Sequence, residues 1–480
     1  MNNPRRIFKN TIALTVASVG HLIGNVILFF YLSRLLQVEG LGVYATIMGI
    51  FQTASIGCGV GFASFIPREL PKDLSQTNRY LVHASLIALV SAMLILVGVD
   101  VVVPFLGYLP QTQLGIYIIS LAFLPTALLV VLRALFIVYQ KSEFITLTAL
   151  LGIIVRILAS LLALYLGASV ISLVVIYVVC DYLTLLVVFY FFVRYVFVPH
   201  WEFDRTFLFA MLRDLKAFAG LVLLGTLFSQ VELVVLSLTK GETQVGFYSA
   251  ALKLVTIWAM VSDSYMTTVF PVLSLASKES LKKAADIRDK SIKYLWAVAF
   301  PLAFGTFVVA DMVIPLFYGS GFEQSIDVLR VLAWYLPLNF CNTVLWRTLL
   351  ARDEQNRVLR GQLVADLFRG LLALILTPQF GALGAAWALI SGRLAFLLYN
   401  IYYVQRGGLK LPLLKLGWRF AFAAGLMAAG VWSLVGRVSL YLLILLAAVV
   451  YALLIFVLRG FSAEDVALFR KIWKREQEPA

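Results

Sequence analysis

The sequence predicts an all-α polytopic membrane protein with 14 transmembrane helices, arranged as two pseudo-symmetric six-helix lobes followed by two C-terminal helices. Composition is the first observation behind this prediction, because 62% of the 480 residues are hydrophobic and only 13% are charged. A soluble domain averages about 25% charged residues. Apolar stretches long enough to cross a bilayer recur from end to end. An internal repeat is the third observation.

The repeat is clearest in residues 32–67, where one apolar stretch ends, the chain turns through a short polar segment, and the next stretch begins. The register continues, with small slips, to the end of the second copy. Two similar membrane halves are a common plan among transporters, which bind their substrate between the repeats. At a shift of 204 positions the matching pairs are Leu32 with Leu236, Gly42 with Gly246, Tyr44 with Tyr248, and Pro67 with Pro271.

The apolar stretches set the predicted boundaries. An N-lobe over 1–198 contains helices at 10–36, 43–66, 79–106, 113–139, 145–167 and 171–198. After a cytoplasmic connector at 199–216, a C-lobe over 217–405 contains helices at 217–239, 246–274, 294–317, 326–350, 361–377 and 382–405. Segment 406–458 holds two more, at 417–435 and 439–458. A cytoplasmic amphipathic tail, 459–480, opens with Ser462 three residues before Asp465, which is a helix-capping signal.

Lysine and arginine positions predict the orientation. The connections after odd-numbered helices hold only Lys240 and Arg437, whereas the opposite side, including both termini, carries most of the basic residues. Because basic loops remain on the cytoplasmic side, we expect both termini in the cytoplasm. This distribution explains the net charge of +14 without nucleic acid as a partner. Basic loops of this kind also contact anionic membrane lipids.

The sequence carries no motif typical of catalysis, so we expect a protein that binds and moves a substrate rather than an enzyme. It lacks the G-x-x-x-x-G-K-[ST] phosphate loop and the H-E-x-x-H or paired-cysteine spacings of zinc sites. Cys58, Cys180 and Cys341 lie within apolar stretches and are interpreted as small buried side chains. No cofactor and no metal site is predicted.

Ionisable residues inside the predicted helices are the informative ones, since a charge at the bilayer centre costs about 3 kcal/mol and must face protein or water. Asp366 and Arg369 lie three residues apart on one helix and are expected to pair locally. Arg133 falls near the inner end of its helix.

The basic residues at useful depth are the candidate anion site. Arg156, Lys253 and Arg393 have no acid three or four positions away, and Arg369 joins them if Asp366 turns elsewhere. For each one, an interhelical ion pair or a carbonyl clamp is the structural alternative. Cations in both halves favour an anionic substrate. The acids Glu232, Asp263 and Asp181 are the candidates for ion or proton coupling.

The run YLSRLLQVEGLGVYATI, from Tyr31 to Ile47, resembles the opening signature of the polysaccharide-biosynthesis (Wzx-like, O-antigen) flippases of the MOP exporter superfamily. This family implies alternating access of two six-helix lobes around a cationic cavity. It also implies an undecaprenyl-pyrophosphate-linked oligosaccharide as substrate, the bacterial cytoplasmic (inner) membrane as location, and other polysaccharide-assembly membrane proteins as candidate partners.

The hypothesis that follows is a flippase that carries such a lipid-linked oligosaccharide from the cytoplasmic to the periplasmic or outer leaflet. On this hypothesis Arg156, Lys253, Arg369 and Arg393 bind the pyrophosphate. Two alternatives stay open. A cation-coupled small-molecule exporter of the MATE type would use the three acids named above, and a lipid II flippase would use a different lipid-linked substrate.

Overall fold

The structure is a computed structural model. It describes residues 4–59, 61–215, 230–408, 410–462 and 465, with side chains described for Gly24 and from Val26 onward within these ranges. Most of the predicted amphipathic tail, 459–480, and most of the predicted helix 217–239 lie outside the described residues.

Described secondary structure is helical. The first seven helices are α1 Pro4–Ser55, α2 Phe62–Glu69, α3 Thr77–Val102, α4 Pro110–Ser120, α5 Phe123–Val138, α6 Ser142–Tyr165 and α7 Val170–Tyr195. Helix α8 is described over 205–215. The remainder are α9 Val231–Lys240, α10 Glu242–Glu279, α11 Leu281–Tyr318, α12 Gln324–Ala333, α13 Tyr335–Leu350, α14 Gln355–Phe380, α15 Ala382–Arg406, α16 Leu413–Trp432 and α17 Leu440–Val457.

Among the described residues, 12 stretches of helix are long and apolar enough to cross a membrane. The all-α polytopic prediction is therefore confirmed. The number 14 stays a prediction for two reasons. The predicted first helix and the start of the second meet at a kink at Gln37 within α1, and Val26–Ser55 is one candidate span. The rest of the predicted second helix, 43–66, falls in the turn after Ser55 and in α2. Of the predicted seventh helix, only the part in α9 is described.

The first predicted polar turn, 37–42, is a one-residue kink. Only Gln37 leaves the helical conformation, with φ 58° and ψ −170°, and α1 continues on both sides of it. Gly241, at the equivalent place in the repeat, has φ 79° and ψ 177° between α9 and α10. A positive φ suits glycine better than glutamine, so the shared backbone shape reflects the repeat and not the residue type.

Two further predicted helices, 113–139 and 326–350, are each broken. The first divides into α4 and α5, and the second into α12 and α13. Helices α5 and α13 both have 16 residues and both carry proline at their third position, Pro125 and Pro337. In the first turn of a helix, backbone N–H groups have no partner within the helix, so the missing N–H of proline costs little stability there. Each break therefore puts the proline where it destabilises the helix least. Side chains satisfy nearby carbonyls: the Tyr182 hydroxyl donates to Leu121 O (3.1 Å), and Trp296 Nε1 donates to Pro337 O (2.9 Å).

Contacts divide the chain into two compact units. Unit 1 is Met1–Ser249 with Gly370–Ala385, and unit 2 is Ala250–Arg369 with Ala386–Ala480. This division does not test the predicted lobe boundaries, which stay predictions. In unit 1, Phe51 stacks on Phe123 with ring centroids 5.3 Å apart. Ala84, Ala88 and Ala92 are fully buried along α3, and such small side chains let neighbouring helices approach closely.

Unit 2 is built around α11. Helix α16 packs along it through Ala423, Ala424 and Met427, which join Val308 in one buried cluster. The Tyr451 hydroxyl of α17 donates to the α11 carbonyl of Ala297 at 2.8 Å. The two helices outside the repeat therefore pack on unit 2.

Polar contacts fasten two segments outside the membrane spans. Glu202 accepts from Arg79 Nε (2.6 Å) and Asn78 Nδ2 (3.0 Å), which holds the predicted connector against the start of α3. At the tail, Ser462 and Asp465 bond reciprocally, so the predicted capping signal is confirmed.

Candidate functional site

The first candidate cation, Arg156, is paired. It lies on α6, and its Nη2 is 2.5 Å from Asp181 Oδ1 on α7; both side chains are 12% exposed. The structure thus brings together one predicted anion-binding residue and one predicted coupling acid. Neither has a partner three or four positions away, so the local spacing that guided the prediction could not reveal this interhelical pair.

Aromatic and basic groups surround the Arg156–Asp181 pair. The Arg156 guanidinium lies over the Tyr177 ring, 3.9 Å from its centroid. Arg133 and Tyr44 are close enough to act electrostatically on the same pair. Arg133, predicted near the inner end of its helix, thus lies within electrostatic range of Asp181, which is ion-paired with Arg156. Two arginines and one carboxylate make this part of unit 1 net positive.

A second basic cluster lies in unit 2. Arg347 of α13 donates to the Asp263 carbonyl oxygen (3.3 Å) and lies 3.4 Å from the Asp263 carboxylate on α10. The Arg347 side chain is 13% exposed, whereas that of Asp263 is 58% exposed. Arg347 is not among the predicted site residues. Its contact with Asp263 depends on tertiary structure, so no local spacing could have found it.

Arg393 of α15 belongs to the same cluster. It lies near enough to Asp263 to act on it electrostatically, and its guanidinium lies 5.4 Å from the centroid of the Tyr335 ring. Among the described residues, no carboxylate is within ion-pair distance of Arg393, and its buried Nε has no hydrogen-bond partner. Its backbone is fixed, because Asn342 Nδ2 donates to the Arg393 carbonyl (2.9 Å) and Asn400 donates to Asn342.

Arg369 of α14 forms the local pair that its spacing predicts. Its Nη2 lies 3.2 Å from Asp366 Oδ1, and the two side chains are only 6% and 5% exposed. Gln362 donates to the other Asp366 oxygen at 2.8 Å. The Arg369 stem fills the space beside Gly392, where an added Cβ would approach within 2.6 Å. Arg369 is thus held on several sides by unit 2.

Two predicted site residues, Lys253 and Glu232, lie on α10 and α9. Lys253 is half-buried on α10, the helix that also carries Asp263. Glu232 is buried in the first turn of α9. Groups of three or more metal-ligating side chains are absent from the described part of the chain. Both units contain buried or half-buried guanidinium groups, and the paired donors of a guanidinium match phosphate oxygens.

One curated relative is similar to part of the chain. The probable low-salt glycan biosynthesis flippase Agl15 of Haloferax volcanii is 25% identical over 209 residues, which are 43% of this chain and 44% of that relative. The match thus spans less than half of the relative's length.

Solved structures show the fold. A lipid II flippase, MurJ, in an inward closed conformation aligns with a TM-score of 0.77 at 15% identity, covering 93% of this chain and 98% of that one. An inward-facing multidrug resistance MATE family transporter of the MOP superfamily aligns with a TM-score of 0.66 at 16% identity, covering 83% of this chain and 98% of that one.

A family model described as polysaccharide biosynthesis protein matches residues 31–327, beginning at the same Tyr31 with which the signature opens. The model covers more than half of the chain. The protein, a multi-pass membrane protein with the fold of MurJ and MATE transporters, therefore belongs to the polysaccharide biosynthesis protein family.

Proposed function

We propose that this protein is a flippase that moves an undecaprenyl-pyrophosphate-linked oligosaccharide from the cytoplasmic to the periplasmic or outer leaflet by alternating access. The observation that supports this proposal best is that both units of this family member contain deep arginines. A glycan and a pyrophosphate cannot cross hydrocarbon unaided, because polar groups lose their hydration there. Guanidinium groups replace part of that hydration for the pyrophosphate.

In this proposal, arginines bind the pyrophosphate and carboxylates hold them in place between substrates. Asp181 occupies Arg156 when no substrate is bound. When pyrophosphate takes over Arg156, Arg133 stays beside Asp181 and limits the cost of leaving that carboxylate unpaired. Asp263 serves Arg347 in the same way. Arg393, which has an aromatic face beneath it and no ion-paired carboxylate among the described residues, gives the pyrophosphate a cation without such an exchange.

The membrane potential assists this direction of transport. It is negative inside, so an anion moving outward gains about 2.3 kcal/mol per charge per 100 mV. The protein then has only to lower the barrier to crossing. The lipid tail stays in the bilayer.

Purified protein in liposomes tests the proposal directly. The assay compares an undecaprenyl-pyrophosphate-linked oligosaccharide, lipid II and a cationic dye, each scored by its rate of appearance in the opposite leaflet or compartment. We expect transport of the oligosaccharide above that of lipid II, and none of the dye. For arginine-to-alanine variants in this assay, the matched control is Arg213→Ala, which removes an arginine whose side chain is 79% exposed. Dye transport without glycolipid transport would replace this proposal with the MATE-type exporter, for which the fold likeness to MATE transporters is the supporting observation.

The proposed orientation, with both termini cytoplasmic, has a separate test. Gly241 lies between α9 and α10, and Ser280 lies between α10 and α11. In intact cells, an impermeant thiol reagent should label Gly241→Cys and should spare Ser280→Cys. The opposite pattern would reverse the orientation.

A further inference from the structure

Helices α1 and α10 cross within unit 1 at a distance that only glycine permits. A Cβ added to Gly42 would lie 1.8 Å from the carbonyl oxygen of Glu242. A Cβ added to Gly246 would lie 2.3 Å from the carbonyl oxygen of Val38. Both distances are far below any real contact, so the two backbones touch directly. Glycine pairs of this kind let membrane helices approach closely, with Cα–H groups facing carbonyls.

The crossing is symmetric in terms of the repeat. Val38 follows the kink at Gln37, and Glu242 follows the equivalent Gly241. In each copy, the first residue after the kink offers its carbonyl oxygen to the glycine of the other copy. The strongest part of the repeated sequence therefore encodes one mutual contact, formed by the two copies of the same helix start.

Hydrogen bonds between polar groups stabilise the region around the crossing. The Tyr108 hydroxyl and Ser237 Oγ are 2.9 Å apart, and both groups are buried. Thr112 Oγ1 donates to Glu242 Oε1 at 2.9 Å. Gln244 Oε1 accepts from the Ala382 backbone N–H at 3.0 Å.

Buried side chains continue from the glycines along both helices. Leu41 and Val43 on α1 are at most 2% exposed, and so are Val245 and Tyr248 on α10. A contact between bare backbones leaves no space for a glycan or a phosphate.

We propose that the Gly42–Gly246 crossing is the closed gate on the membrane side that carries the connections after the odd-numbered predicted helices. The two helices separate there in every transport cycle. This role rests on the proposed function, because a gate needs something to pass. The separation of the two helices does not rest on the proposed function, since it can be observed without substrate. Glycine at both positions then has a conformational purpose: it allows the closed state to form.

Cysteine labelling in nanodiscs tests the gate without any substrate. In a background with the three native cysteines replaced by alanine, Ser237→Cys places a thiol behind the contact with Tyr108. A water-soluble maleimide should label it slowly in the parent. Gly42→Ala or Gly246→Ala should raise the labelling rate about tenfold, which corresponds to a bias of about 1.4 kcal/mol toward the open state. The matched control is Gly98→Ala on α3, where an added Cβ meets nothing within 4 Å.

A second variant keeps the test decisive if the alanine substitutions prevent folding. Thr112→Val removes the hydrogen bond to Glu242 with almost no change in volume. It should raise labelling of the thiol at position 237 severalfold. Unchanged labelling in well-folded glycine or hydrogen-bond variants would overturn the gate.

Crosslinking then connects the gate to transport. Thr112→Cys with Glu242→Cys, joined by a short bifunctional thiol reagent, should reduce glycolipid transport at least about tenfold, and reduction of the crosslink should restore it. Transport at the parent rate in the crosslinked protein would show that the crossing need not open. If the parent transports none of the substrates offered, the proposed function fails, whereas the labelling result still decides whether the gate opens.

Discussion

One pair of equivalent positions in the two repeats carries opposite charges. This difference separates an arginine that is neutralised by an ion pair from one that remains available to a substrate. Arg156 on α6 and Arg369 on α14 lie at equal distances from their helix starts, and so do Asp181 on α7 and Arg393 on α15. In unit 1 the acid pairs with the arginine of the neighbouring helix. In unit 2 its place is taken by a second arginine.

Unit 2 compensates for this exchange in two ways. Arg369 takes its carboxylate from Asp366 on its own helix, in nearly complete burial. Arg393 instead has the Tyr335 ring and the influence of the exposed Asp263. The comparison teaches that depth alone does not identify an anion-binding residue. The position and exposure of the neutralising acid decide which cation is structural and which remains available to a substrate.

The largest effect is expected at Arg369, as a loss of folded protein. Arg369→Ala leaves Asp366 buried without its cation, and breaking such a pair costs about 3–5 kcal/mol. The measurement is thermal unfolding and membrane abundance of the purified variant. Arg369→Ala with Asp366→Ala removes both charges and should recover much of the loss. If Arg369→Ala alone is stable but inactive, Arg369 belongs with the substrate-binding residues instead.

Arg393→Ala should cause the largest loss of transport at normal abundance. A hydrogen bond to a charged group contributes about 1.5–3 kcal/mol, so we expect a fall of about 10- to 100-fold in the rate of glycolipid transport. Arg393→Lys should recover only part of it, because the charge remains while the paired donors are lost. Full activity of Arg393→Ala would remove the contrast between the two repeats.

Arg156 should show an intermediate effect that its partner can dissect. Arg156→Ala should reduce transport about tenfold with nearly unchanged abundance, since Arg133 still lies beside Asp181. A double-mutant cycle with Asp181→Asn gives the decisive measurement. If Arg156 only balances Asp181, the double variant recovers activity. If Arg156 binds the anion, the double variant stays impaired.

The smallest effect concerns the polar contacts outside the membrane, where the two units also differ. Hydrogen bonds from Asn78 and Arg79 lower the pKa of Glu202. Burial raises the pKa of Asp465, but hydrogen bonds from Lys293, Tyr294 and Ser462 outweigh it and bring that pKa below its usual range. A carboxylate with a lowered pKa in the folded state stabilises the fold above its unfolded pKa of about 4, and this stability disappears as pH falls through the folded value.

Glu202→Gln and Asp465→Asn should therefore lower the melting temperature at neutral pH. The deficit relative to the parent should shrink as pH falls below about 4, and it should be larger for Asp465→Asn. Melting curves of the two variants and the parent across this pH range provide the measurement. A deficit that is constant with pH would assign these residues to packing and not to ionic contacts.

The sequence by itself determined the class, the family, the repeat and the local pairs. Composition and apolar stretch length report directly on the solvent around each helix, which is why the polytopic fold follows from them. The pairing of Asp366 with Arg369 and the cap formed by Ser462 and Asp465 follow from spacing within a single helix turn. The repeated Gly42 and Gly246 mark one motif twice, although nothing in the sequence shows that the two copies touch.

Only the tertiary structure decided which charges meet across helices. The Arg156–Asp181 and Arg347–Asp263 pairs depend on how each helix is rotated about its axis and shifted along it. Apolar periodicity is too weak to fix that rotation in a helix that is apolar on nearly every side. The breaks before α5 and α13 also escaped prediction, because Pro125 and Pro337 can equally stand inside a kinked membrane helix when neighbouring groups satisfy the freed carbonyls. The backbone distance that leaves no room for a Cβ at Gly42 or Gly246 exists only where the two helices cross.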